Sequence, residues 1–123
     1  MGHVYVNATI RGRRSRRVRF LVDTGATYSL VSPETARQAG LVELPVRDKV
    51  TLADGRTALV HQAAGSLKID GRSAGTIFWV GPCDEPLMGV EALEVLGLGV
   101  DHHTRRLKPT RPYATRLGGI GRR

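Results

Sequence analysis

The sequence predicts a small, mainly β domain with two short helices and one projecting hairpin. Three observations predict it. Apolar and polar residues alternate in the segments beginning at Val4 and Val18, as half-buried strands do. Asp54-Gly55 separates two extended segments, a strong hairpin signal. Two short helical stretches are each closed by a glycine, Gly40 and Gly97. The fifteen glycines among 123 residues suit a fold with many turns. A chain of this length is most simply one domain, with a core but little surplus stability.

Taken in order, Val4, Val6, Ala8 and Ile10 share one face of a first strand. Arg11-Gly12-Arg13-Arg14-Ser15 reads as a loop, and Val18, Phe20 and Val22 form the inner face of a second strand paired with the first. That strand runs into Asp23-Thr24-Gly25-Ala26-Thr27. Asp fits a strand interior poorly, and a charge there needs a partner. The plain reading is a turn of Asx type, which Asp, Thr and Gly all favour.

Ser32-Pro33-Glu34 opens the first helix, with Ser as N-cap and Pro at the first helical position. Leu41, Val42 and Leu44 are placed to dock that unit on the core, and Pro45 limits any strand there. Residues 50–60 form the Asp-Gly hairpin, with little apolar weight at its tip. Thr76-Ile77-Phe78-Trp79-Val80 is a continuous apolar strand, expected to be central. The second helix begins at Val90. Arg105 to Pro109 reads as an edge or intersubunit strand.

The two halves echo one another. Each runs strand, Gly turn, apolar strand, loop, apolar pair, short helix and terminal Gly. Aligned on Gly25 and Gly89, the second half carries Leu or Met where the first carries Asp23.

Charge is unevenly placed within the net +8. All eleven acidic residues lie between Asp23 and Asp101, whereas residues 11–19 hold six Arg and residues 105–123 hold seven basic residues. Clustered Arg neutralises phosphates, so nucleic-acid binding through the basic tail is an alternative function. Against it, the tail has one aromatic, Tyr113, and no stacking platform. One cysteine excludes an intrachain disulfide framework. No apolar run is long enough to span a membrane, and the N-terminus has no signal-peptide core, so a cytoplasmic location is expected. His102-His103, His61 and Cys83 lack structural-zinc spacing. Cys83 reads as a loop or core thiol, and Glu91 and Glu94 as helix-surface carboxylates.

Together, Leu21-Val22-Asp23-Thr24-Gly25-Ala26, the hairpin Leu52-Ala53-Asp54-Gly55-Arg56 and Leu87-Met88-Gly89-Val90-Glu91-Ala92-Leu93 resemble the retropepsin-like aspartic proteases, over residues 4–108. The resemblance implies a closed, pepsin-like β-barrel subunit in residues 1–108; the Gly, Arg and Pro that dominate from about Arg111 make 109–123 an expected mobile basic tail. It implies a homodimeric aspartic endopeptidase acting on an extended peptide or protein substrate, with no metal or cofactor. Asp23 of each subunit would be catalytic. Thr24, Gly25 and Ala26 would support the active-site loop, and Gly89 the second loop. Ala53, Asp54, Gly55 and Arg56 would form the flap. Leu30, Val50, Leu52, Leu87 and Met88 are candidates for lining substrate pockets, with a core role as each one's alternative. Thr27 and Val90 depart from viral members, which commonly place an acidic residue and an Arg there, so no ion pair ties those regions. A dimerisation or binding module with little proteolysis is the alternative on the same fold.

Overall fold

The computed structural model describes residues 2–52 and 54–112. Ala53, assigned to the flap, and residues 113–123 of the tail lie outside the described residues. The elements are β1 (Tyr5–Arg11), β2 (Ser15–Val22), β3 (Ser29–Val31), α1 (Pro33–Ala39), β4 (Val42–Thr51), β5 (Thr57–Ile69), β6 (Arg72–Val80), β7 (Leu87–Met88), α2 (Val90–Leu96), β8 (Leu98–Asp101) and β9 (Arg106–Pro109).

Pairing follows the apolar alternation. β1 and β2 are antiparallel with Val6 opposite Phe20 and Ala8 opposite Val18, which turns Ala8, Ile10, Val18 and Phe20 to the core. Phe20, Phe78, Ile10, Leu67, Met88 and Leu96 are its largest fully buried side chains. Both helices close on a left-handed glycine, Gly40 at φ 67° and Gly97 at φ 70°. Arginines add to those ends. Arg14 donates to the carbonyls of Arg37 and Gln38 at the end of α1, and Arg72 to those of Leu96 and Gly97 at the end of α2. A cation there complements the helix dipole.

The internal repeat is a swap of strands about the centre. β3 runs parallel to β6, and β7 runs parallel to β2. β3 and β7 meet antiparallel at Leu30 and Leu87. Leu21-Val22 pairs with Leu87-Met88 as Trp79-Val80 pairs with Leu30-Val31. The bonds that follow match: Asp23 N–H donates to Met88 O at 2.9 Å, and Gly81 N–H to Val31 O at 3.1 Å. The second-half counterpart of Asp23 is therefore Gly81, not Leu87 or Met88. Gly89 corresponds to Ser32, since each is the N-cap of a seven-residue helix. The alignment on Gly25 and Gly89 is out of register: it sets a residue of the loop after β2 against the N-cap of α2, whereas strand pairing matches Gly89 with Ser32.

The expected closed β-barrel is not formed. The main sheet is open, in the order β1-β2-β7-β3-β6-β5-β4, with β4 at an edge. A barrel needs strand tilt and stagger to agree around its whole circumference. Here the centre is built from β7 and β3, only two and three residues long. β5, of thirteen residues, is shared: residues 66–68 pair antiparallel with β1, while residues 57–64 carry β4 outward. Pro45 lies where the β4–β5 register shifts between Glu43 and Arg47, so β4 passes through it without pairing there. β8 and β9 form a separate two-stranded sheet. Contacts with the body continue to Thr110, whose N–H donates to Gly97 O, and to Arg111, whose guanidinium donates to Glu94 O.

Candidate active site

Asp23 stands where β2 ends, half-buried, while Thr24 and Gly25 beyond it are exposed. The turn is built on the carboxylate itself. Gly25 N–H donates to Asp23 Oδ1 at 3.0 Å, and Ala26 N–H donates to the Asp23 carbonyl at 3.1 Å. The plain Asx reading is thus correct locally.

The loop is fixed from beneath by α2. The first backbone N–H groups of a helix have no partner inside it. In α2 no side chain caps them. Val90 N–H instead donates to Ala26 O at 2.8 Å, and Glu91 N–H to Thr27 O at 3.0 Å. Gly89 N–H donates to Ser29 Oγ at 3.1 Å, and Ser29 is fully buried. Backbone bonds therefore join the Thr27 and Val90 regions where an ion pair was absent from the sequence. A Cβ on Gly89 would lie 2.6 Å from the Tyr28 carbonyl carbon and oxygen, so only glycine admits this approach.

Asp23 borders a cleft of about 750 Å³ between the loop and the β4–β5 hairpin. Gly25, Ala26, Leu30, Val50, Leu52 and Leu87 line it as well. Met88 is fully buried in the core and Thr24 is not among the lining residues. At the hairpin end, Gly55 N–H donates to Leu52 O and Leu52 N–H to Arg56 O. Gly55 takes φ 89° there. Asp54 accepts Arg56 N–H at 3.0 Å and Arg56 Nε at 2.6 Å. These bonds, the backbone one first, hold the Asp54 carboxyl below the ordinary Asp range.

Several cleft residues escaped the sequence reading. Tyr28, Asp48, Gln62 and Trp79 line the wall. Asp48 Oδ2 accepts Gln62 Nε2 at 2.9 Å and Trp79 Nε1 at 2.8 Å. Tyr28 meets Trp79 edge-on, with ring centroids 5.2 Å apart. Ser29 was also missed. Its signal was a hydroxyl placed directly before an apolar pair, where burial demands a partner. Glu91, expected on a helix surface, is half-buried and accepts the Thr76 hydroxyl. Burial and the neighbouring Asp84 charge push the Cys83 thiol up in pKa, so it is not an activated nucleophile. Among the described residues no His, Cys, Asp and Glu cluster is placed to hold a metal ion, and no helix is long and apolar enough to cross a membrane.

A carboxylate thus stands at the crossing of two swapped strand-loop-helix units, beside a cleft beneath a hairpin. The family model for aspartyl proteases matches residues 6–101, and the chain belongs to that family. No curated protein matches the chain.

Proposed function

We propose that the protein is an aspartic endopeptidase that works as a homodimer, with Asp23 contributed by each subunit. The observation that carries this is Asp23 itself: a half-exposed carboxylate at the edge of the cleft under the β4–β5 hairpin, on a loop braced by α2. One chain brings one such loop, because its second unit has Gly81 at the equivalent place. A second copy related by a two-fold axis supplies the missing carboxylate.

Two carboxylates a few Å apart share one proton, because both cannot ionise cheaply. The ionised one takes a proton from water, which attacks the peptide carbonyl. The protonated one donates to the carbonyl oxygen, and a proton then passes to the leaving amine. Thr24, exposed at the tip of the loop, locks the two loops together across the dimer. Gly25 leaves space and a carbonyl for substrate backbone, and Ala26 keeps the adjoining pocket small. The β4–β5 hairpin acts as the flap, with Asp54, Gly55 and Arg56 at its tip. Its closure over an extended peptide excludes water.

The test is cleavage of a denatured protein between about pH 4 and 7, the range in which a shared-proton dyad works. Wild-type protein cuts, and Asp23→Asn loses about 10³-fold or more, the scale of removing a central acid–base group. Equal activity in the two proteins rejects the assignment.

A further inference from the structure

The floor of the cleft is one row of side chains running across five strands. The register sets Leu87 beside Leu30, Leu30 beside Trp79, and Trp79 beside Gln62. The row ends at Asp48 on β4, which both Gln62 and Trp79 reach. Its chemistry changes along its length: apolar near the catalytic loop, then aromatic where Tyr28 meets Trp79, and finally anionic.

Both donors converge on Asp48 Oδ2. Pinning β4 to the sheet uses that oxygen. Among the described residues Oδ1 accepts no hydrogen bond, and no cation stands within ion-pair distance of the carboxylate. The bonds from Gln62 first, and Trp79 second, hold the carboxyl below the ordinary Asp range, so it is charged in mild acid. Lys49 also borders the cleft, but it alternates to the other face of β4 and is exposed.

We propose that Asp48, with Trp79 and Tyr28, forms a subsite for a basic side chain, Lys or Arg, of the bound peptide. This rests on the peptidase reading and specifies its substrate class. The aliphatic stem of such a side chain lies along the apolar part of the row. The aromatic faces attract the cation, and the charged head reaches Oδ1 in a charge-assisted hydrogen bond.

Trp79 is the only tryptophan in the chain, so its fluorescence reports on this subsite directly. Pairs of extended peptides, differing only in lysine or norleucine at one position, are titrated into the Asp23→Asn protein. The exchange is moved through every position in turn. At one position lysine binds about 10-fold more tightly, the worth of a hydrogen bond to a charged group. Adding Asp48→Asn brings the two peptides to about equal affinity. Asparagine keeps an acceptor oxygen for Gln62 and Trp79 while removing the charge. In the protein with Asp48 intact, the lysine preference also shrinks as salt is raised. Equal affinity at every position overturns the proposal, as does a preference that survives Asp48→Asn or ignores salt. Because the readout is binding, a wild-type protein that takes lysine peptides through Asp48 and cuts none refutes the peptidase reading alone.

Discussion

At the scale of single residues, the site depends on how closely two backbone segments approach. Gly89 lets the Asp23 loop lie directly on the start of α2, where three N–H groups receive their partners from Ala26, Thr27 and Ser29. Gly89→Ala forces a Cβ against the Tyr28 carbonyl and within 2.9 Å of Ala26 O. Backbone cannot rotate away as a flexible side chain does. The expected cost is about 1–3 kcal/mol of stability, read as a lower denaturation midpoint, together with lower peptidase activity. A variant with unchanged stability and activity contradicts the bracing role. The Asp23 motif was legible because it breaks a local rule, a carboxylate at the end of an apolar strand. Ser29 and Gly89 were harder, since their bond joins residues sixty positions apart. Asp48 carried no sequence signal, since its hydrogen bonds reach Gln62 and Trp79, fourteen and thirty-one positions away.

At the scale of elements, strands and helices followed from alternation, caps and turn chemistry. Ser32 caps α1 through Thr35 N–H with Pro33 behind it, as its sequence predicts. What local patterns did not carry was pairing between short central strands. β3 and β7 are too brief to show a period, yet their swap decides which residue matches Asp23. The β4–β5 hairpin is the element whose behaviour with pH is fixed by its own turn. Asp54 has its carboxyl depressed by Arg56, through the backbone N–H and then the guanidinium. A depressed carboxyl stabilises the fold fully above its unfolded pKa, and that contribution is lost as pH falls through the folded value. Asp54 therefore keeps these bonds in the mildly acidic range proposed for the dyad. Carboxyl resonances followed by NMR give an Asp54 midpoint below that of an unperturbed Asp. A midpoint in the ordinary range contradicts the turn as described. The same ion pair occupies Arg56.

At the scale of the whole molecule, the proposed peptidase needs two chains. The fold repeats itself, but only its first unit carries the carboxylate, and the open cleft ends at that group. Basic residues gather in the first hairpin loop and toward the C-terminus, while the central region that forms the cleft is net acidic. The central claim is that catalysis needs Asp23 from two protomers. The direct measurement mixes wild-type and Asp23→Asn protein in equal amounts, at fixed total concentration, and lets protomers exchange. Only dimers with two intact carboxylates cut, so activity falls to about one quarter of the all-wild-type value. An activity of about one half, the value for protomers that each carry a complete site, contradicts the account.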